Sequence, residues 1–572
     1  MLITPLYFCF VIVSLLVPGY VIVKKTKYFS AQPGLEISLG YFTSIVLYAL
    51  LATADYVFKL SPLLTRWVCW TVIVVSILEF FRSRYFSDLW KLKFPLGCWL
   101  AASVLSIAFL GLPFTQKYTY TPDPTPSPNT NYNALNVKVL NISQTQANDN
   151  YIPYRQAQFF INRLDPTKSP FLAEWDVGFF ERTPLMGAVS ANYFNLFHDK
   201  VPTGIIWRST TQDPNHTYLQ FQILASILNM LFLIPAYFLL GRLFGRKTAI
   251  IASLFLVTSQ YFLYDAVFTW PKSLVAFFVL LTWWLLLERK KSYVIMAGMI
   301  SGVAYLTHDL AVLYIGASII FLLYQKRYKD VLIYTAWPIL FAFPWLYAAD
   351  IYYKQPSSFI YYPLSLKGIP QPNQGKQIIH QFLHAPVLKL LRIRLENILY
   401  LISPYQLFPS LGLGRLWAFG LYSIPGASGA GLSIPLYLAF LKYRRKVGML
   451  LLVLVPVLLE SLIIGWPKGL GALHFAEALV VIATGLSVSY LLSLKRKHWV
   501  LLAYVISCLQ LAFFITFSYH FHVHEWLRNP RALAIVFYIL ALLAGCGLLI
   551  YRTISEPPVS SKLSTDLKAA PD

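Results

Sequence analysis

Charge is scarce in this chain. Only 12% of its 572 residues are Asp, Glu, Lys or Arg, 57% are hydrophobic, and the mean hydropathy is +0.58. A soluble globular fold of this length would lack the polar surface that water requires, so the composition excludes one and points to a chain that crosses a membrane many times. Cysteine is scarce too, and Cys9, Cys69, Cys98, Cys508 and Cys546 all fall within or beside apolar runs. There they act as small hydrophobes, giving no sign of a disulfide framework or a thiolate metal site and leaving the redox compartment unread. The N-terminus lacks a positively charged leading region; Lys24, Lys25 and Lys27 follow the first apolar run instead. That run reads as a retained span entering from outside and not as a cleaved signal. Repeated halves are also missing, and the polar residues gather toward one face, which weighs against a secondary carrier as the alternative reading of so many spans.

Acidic residues are half as many as basic ones, 24 against 47, for a formal net charge of +23. Such an excess would suit nucleic acid if it lay on one amphipathic face. Here it stands in short clusters between apolar runs, so no nucleic-acid partner is expected and the positive-inside rule accounts for the charge.

What is present in quantity is apolar sequence in runs of about 20 residues, each long enough to cross a hydrocarbon core of about 30 Å. Hydropathy and loop charge place spans near 2–23, 37–58, 62–80, 96–114, 217–240, 248–265, 271–288, 293–307, 309–325, 331–349, 423–441, 447–465, 473–494, 499–518 and 532–551. The expected fold is therefore an all-α polytopic membrane protein of about 15 transmembrane helices. Basic clusters at 24–27, 82–93, 241–247, 288–291, 325–329, 442–446 and 495–497 all fall on one side if the N-terminus is outside and the C-terminus cytoplasmic. A missed span would invert every later loop, so this regularity supports the placement.

The division that follows is three N-terminal helices at 1–95, a core at 96–350, a second outer interval at 351–422, C-terminal helices at 423–551 and a cytoplasmic tail, polar and without a core, at 552–572. Residues 115–216 form the first large outer loop. It opens on a Pro-rich spacer and carries a small folded unit in which YRQAQFFINRL and RTPLMGAVSANYFNLF read as helices. The tripeptides at Asn141 and Asn215 match a glycosylation pattern that chance would also supply. In the second interval, 384–402 mixes Lys389, Arg392 and Arg394 with Leu and Ile at helical spacing, as a helix lying on the outer leaflet would; a short buried span is the alternative.

Charge in the first outer loop is clustered at Asp149 and Arg155, Arg163 and Asp165, then Glu174, Asp176, Glu181 and Arg182. Solvated loop surface would look the same. The order of features is what raises a functional reading: a polar acidic segment, NDNYIPYRQAQ, and some thirty residues later Arg182 in ERTPLMG. With the helices at 229–313, including Tyr264-Asp265 near a span end and the Thr307-His308 pair, this order resembles the GT-C superfamily of integral membrane glycosyltransferases. The nearest branch is that of the protein O-mannosyltransferases and lipid A aminoarabinose transferases, and the resemblance covers roughly 96–350. Asn150 stands where that family often has a second acid, and Thr183 where it has a first proline.

The resemblance implies a polyprenyl-phosphate-linked sugar donor within membrane lipid, and transfer to an acceptor at the outer face. Such chemistry needs a base for the acceptor proton and cations for the departing phosphate. Asp149 is the candidate base. Lys272 and Lys468, each in a Trp-Pro-Lys turn, and Arg155 and Arg182 are candidates for phosphate, although Trp and Lys also anchor membrane boundaries. Glu174, Asp176, Asp265, His308 and His474 are candidate substrate-binding groups. Glu460 and Glu477 approach the outer boundary, where they would line a pocket or pair with Lys468. His520, His522, His524 and Glu525 have a spacing that suits a divalent metal as well as a polar boundary; no other cofactor is expected. A lipid-linked glycan polymerase or ligase, and a scaffold of the same fold without activity, are the remaining alternatives.

Overall fold

A computed structural model describes residues 3–26, 32–110, 152–166, 179–199, 201, 217–353, 361–367, 375–403, 423–443, 447–466, 475–494, 496–518 and 530–556. Among the described residues there is no strand. Three long helices come first, α1 (Ile3–Thr26), α2 (Pro33–Phe58) and α3 (Pro62–Arg82), then a short α4 (Phe86–Lys91). Proline starts α2 and α3, where its missing N–H would have no helical partner anyway.

The core begins with α5 (Lys93–Leu110) and continues through the two helices of the first long interval, α6 (Ile152–Asn162) and α7 (Leu185–Phe197). Next, α8 (Thr217–Asn229) passes through one 3₁₀ turn into α9 (Leu233–Phe244). After them, α10 (Arg246–Val257) and α11 (Gln260–Phe268) meet at a 52° bend. The remaining core helices are α12 (Lys272–Leu287), α13 (Lys291–Thr307), α14 (Ala311–Tyr324) and α15 (Tyr328–Leu346). Beyond them lie α16 (Gly375–Leu383), α17 (Val387–Ile402), α18 (Ile424–Ala427), α19 (Ala430–Tyr443), α20 (Val447–Ile463), α21 (Glu477–Ser493), α22 (Lys497–Ser518) and α23 (Pro530–Ser555).

Every apolar stretch singled out by hydropathy carries a helix. Among the described residues, six helices can cross a membrane alone by length and composition, namely α1, α2, α3, the continuous α8–α9, α15 and α23, and the bent pair α10–α11 makes a seventh; other apolar helices are shorter. The small helices expected at YRQAQFFINRL and RTPLMGAVSANYFNLF are α6 and α7. At 384–402 stands α17, with Leu388 77% exposed, Leu391, Leu395 and Leu399 also exposed, and Ile393, Asn397 and Leu401 turned inward. The tail does not begin at 552, since α23 runs on to Ser555.

Apolar on every side, α12 and α21 are buried along most of their length, as such helices must be. They form the centre of the bundle. At one end of it the N-termini of α12 and α21 meet the C-termini of α11 and α13, and five buried ionisable residues, Asp265, Lys272, His308, Asp309 and Glu477, collect there.

A candidate active site at the shared end of the core helices

The site is built on the turn between α11 and α12. After Phe268 the chain reverses through Thr269, a β-branched residue held at φ +62, a conformation it adopts only under constraint from its surroundings. Asn229, the last residue of α8, supplies much of that constraint. Its Nδ2 donates to the Trp270 carbonyl at 2.9 Å, and its Oδ1 accepts the Leu274 N–H at 3.2 Å. Pro271 fixes the middle of the turn, and the Lys272 N–H closes on the Trp270 carbonyl at 2.9 Å.

Lys272 is thereby turned inward and left 1% exposed, with Nζ 3.6 Å from the centre of the Trp270 ring, close enough for a cation–π contact. Its charge acts on two buried carboxylates, Asp265 of α11 and Glu477 at the first turn of α21. Ser273 donates to Asp265 Oδ2 at 2.9 Å, and Tyr261 donates to Glu477 Oε1 at 3.2 Å. Glu477 also sits at a helix N-terminus, where a negative charge is favoured. Asp265 was expected near the surface at the end of a span. The bend at Thr258–Ser259 redirects α11, which continues to Phe268 and buries Asp265 to 1% exposure.

The connection between α13 and α14 adds His308 and Asp309. The His308 ring lies 5.7 Å from that of Trp270, and its Nδ1 is 2.9 Å from Asp309 Oδ1, which also accepts the Leu310 N–H at 2.9 Å. Burial pushes the His308 imidazole below its ordinary range; Asp309 opposes this, and the charges of Lys272 and Arg182 reinforce it. Burial alone would raise Asp309, but His308 beside it, the Arg182 charge and the Leu310 N–H together hold its carboxyl below the usual range. His308 Nε2 and Asp265 Oδ1 are buried without a hydrogen-bond partner among the described residues.

Arg182 reaches this cluster from the first long interval, its guanidinium carbon 6.0 Å from the Trp270 ring centre. Its backbone is fixed by α6: Gln156 Nε2 donates to the Arg182 carbonyl at 2.6 Å and to that of Phe179 at 3.2 Å. For this, α6 and α7 must cross closely. A Cβ on Gly187 would stand 2.5 Å from Gln156 Cβ and 3.0 Å from the Pro153 carbonyl, so only glycine fits there. Phe179 and Phe180 pack at tilted angles against Trp345 of α15, and Arg155, half-buried, precedes Gln156 on α6.

Of the residues picked out in the sequence, the structure brings together Arg182, Asp265, Lys272 and His308. Asp149, Glu174, Asp176, Lys468 and His474 lie outside the described residues, as do His520, His522, His524 and Glu525. Among the described residues no group of three or more His, Cys, Asp or Glu could hold a metal ion. Glu460 and Glu477, read together from the sequence, have different surroundings: Glu477 belongs to the cluster, whereas Glu460 on α20 feels the charge of Arg394. Sequence reasoning missed Asn229, although an amide inside an apolar run is the kind of buried polar group that marks a site.

Two cations stand against one tryptophan, beside three buried carboxylates and an imidazole, at an end where the partial positive charge of two helix N-termini adds to the field. The cluster lies in and around residues 212–348, which match the family model described as dolichyl-phosphate-mannose-protein mannosyltransferase. No curated protein matches the chain. Among solved structures, ArnT from Cupriavidus metallidurans in the apo state is similar at 12% identity and a TM-score of 0.40, over 82% of this chain and 78% of that one. The Archaeoglobus fulgidus oligosaccharyltransferase tethered to an acceptor peptide is similar at 15% identity and a TM-score of 0.34, over 82% of this chain and 56% of that one. The family match thus spans α8 to α15, the helices and turns that carry Asn229, Asp265, Lys272 and His308.

Proposed function

We propose that this protein is an integral membrane glycosyltransferase of the GT-C type, which takes its sugar from a polyprenyl-phosphate-linked donor and delivers it, with inversion, to an acceptor at the outer face of the membrane. The observation that carries this reading is the pair of cations, Arg182 and Lys272, set against Trp270 and backed by His308. A phosphate leaving group needs positive charge where its own negative charge develops, and a site already organised by packing gives up little free energy in providing it. Arg182, half-buried and forked, meets the phosphate directly, while Lys272 supplies field from beneath. The acceptor oxygen attacks the anomeric carbon as the bond to phosphate oxygen breaks. Asp149, on the segment that leads into α6, takes the acceptor proton, and Arg155 adds a second fork for phosphate. Glu174 and Asp176 bind sugar or acceptor from the same loop, and Lys468 and His474 from the second Trp-Pro-Lys turn.

In this reading about 15 helices cross the membrane, the N-terminus and both long intervals are outside, and the tail is cytoplasmic. The decisive experiment incubates purified protein in nanodiscs with labelled polyprenyl-phosphate sugars and follows sugar loss, acceptor labelling and anomeric configuration. Transfer that Arg182→Ala and Asp149→Asn each abolish is the expected result, with donor binding retained in Asp149→Asn. Turnover by Asp149→Asn at the wild-type rate would remove Asp149 from the mechanism, and absence of sugar loss with every donor would remove the reading as a whole.

A further inference from the structure

The helices that carry the proposed site, α6 and α7, end in the same way. Each closes with a hydrogen bond spanning five residues, Leu164 N–H to the Phe159 carbonyl at 3.1 Å and Asp199 N–H to the Phe194 carbonyl at 3.0 Å. Such an ending requires one residue in the left-handed region, where glycine is the usual choice. Here the residues are Arg163, at φ +51, and His198, at φ +55. In both cases the side chain that glycine would lack is tied to the three N-terminal helices.

Arg163 donates to Asp55 Oδ1 of α2 at 2.6 Å and to the Leu60 carbonyl in the α2–α3 turn, and Tyr56 holds the next carbonyl, that of Leu164, at 2.9 Å. Asp55 is buried, so the pair is little screened by water. His198 Nδ1 lies 2.5 Å from Arg66 of α3, whose Nε also donates to the Asn195 carbonyl at 2.8 Å. Asn195 Nδ2 in turn donates to Thr65 Oγ1 at 2.8 Å and to the Pro62 carbonyl at 3.2 Å. Farther along α7, Tyr193 pairs with Ser14 of α1 at 2.7 Å, and Trp70 of α3 donates to the Leu196 carbonyl at 3.3 Å. Contacts from α1, α2 and α3 thus converge on the ends of α6 and α7, and those two helices fix Arg182 through Gln156 and Gly187.

We infer that residues 1–95 are a positioning clamp for glycosyl transfer, with Asp55–Arg163 and Arg66–His198 as its two fastenings. This rests on the proposed function above. None of the four residues touches the charged cluster around Trp270; they act through α6 and α7, and are positioning residues. The left-handed backbone makes the distinction testable. A residue needed only to end α6 would be served at least as well by glycine, whereas a fastening is lost in glycine as completely as in glutamine.

The test uses the full chain in nanodiscs and compares Asp55→Asn, Arg163→Gln, Arg163→Gly, the exchange Asp55→Arg with Arg163→Asp, and Lys25→Gln. Lys25 pairs with Glu79 at 2.5 Å, so it probes the same helices away from the clamp. Turnover per folded protein should fall about 10-fold or more in Asp55→Asn, Arg163→Gln and Arg163→Gly, because small misplacements of binding groups are costly to rate. Hydrogen exchange should rise at 152–162 and 185–197, the exchanged pair should regain a substantial part of the rate, and Lys25→Gln should match wild type. An active wild type with Arg163→Gly turning over at the wild-type rate would overturn the clamp alone. A wild type inactive with every polyprenyl-phosphate sugar would overturn the function and the clamp together.

Discussion

The tripeptide Trp-Pro-Lys occurs twice, at 270–272 and at 466–468, and each time an asparagine from a neighbouring helix holds the tryptophan carbonyl. Asn229 does so at 2.9 Å and Asn397 of α17 at 3.1 Å. Beyond that shared staple the two regions part. At the first turn the amide oxygen of Asn229 is used by the Leu274 N–H, and Lys272 has carboxylates around it. At the second, Asn397 Oδ1 is buried without a partner among the described residues, and so are both oxygens of Glu460. Arg394, whose charge acts on Glu460, spends its guanidinium on the carbonyls of Ile464 and Pro363. One local sequence thus has its tryptophan carbonyl held in one way, and the charges packed around that carbonyl differ between the two places.

The sharpest way to break the comparison is to remove the charge of the first turn. Lys272→Met leaves Asp265 and Glu477 buried without their cation, and stripping one partner from a buried charge set costs about 3–5 kcal/mol. Thermal unfolding in micelles should register that loss, and donor turnover should fall below about a hundredth, the order expected when charge stabilisation of a leaving group is lost. A melting temperature unchanged from wild type would mean that Lys272 does not balance the two acids.

The staples come next. Asn229→Ala breaks two hydrogen bonds and strands two buried backbone groups, about 2 kcal/mol. Asn397→Ala also breaks two bonds, to Ile464 and Trp466, but removes an amide oxygen with no partner among the described residues, so about 1 kcal/mol is expected. Chemical denaturation of the two variants side by side measures the difference, and equal losses would erase the distinction between the turns.

Much of this was legible in the sequence, and what was not has identifiable causes. Hydropathy located the helices because each apolar run had to hide from water, and the helical spacing of apolar residues in YRQAQFFINRL and RTPLMGAVSANYFNLF marked α6 and α7. Arg182 stood out through the order of features that carries the family resemblance, and Lys272 and His308 as ionisable residues where apolar runs begin or end. The depth of Asp265 did not, because averaging over a window cannot register a 52° bend within the run. The roles of Arg163 and His198 did not show either, since no local pattern foretells that a non-glycine residue will turn left-handed for a partner a hundred residues away.

Acidity separates the regions more gently. His308 has a pKa lowered by burial from its ordinary 6.5, so it folds in the neutral form. Below about pH 6.5 the unfolded chain takes up a proton that the folded one refuses, and stability declines as pH falls toward the lowered value. Asp309, also lowered, keeps its contribution until the pH drops below the ordinary carboxylate range, so between pH 7 and 5 the histidine dominates. His308→Gln should flatten the fall in melting temperature over that window, whereas Asn397→Ala at the second turn should leave its slope intact. A slope unchanged in His308→Gln would assign the acid sensitivity elsewhere.

The smallest effect has the opposite sign. Glu460 is fully buried, neither of its oxygens has a hydrogen bond among the described residues, and Arg394, whose charge acts on it, donates to two carbonyls. The carboxylate therefore bears a desolvation penalty with little in return, and the neutral amide of glutamine at the same place bears a smaller one. Glu460→Gln should raise the melting temperature slightly, by an amount equivalent to about 1 kcal/mol or less. The same exchange at Glu477 should lower it, since that carboxylate accepts from Tyr261 and faces Lys272. Opposite signs for one substitution at two buried glutamates are what the contrast between the turns demands. A loss of stability at Glu460 as large as that at Glu477 would show that the second turn is satisfied as fully as the first.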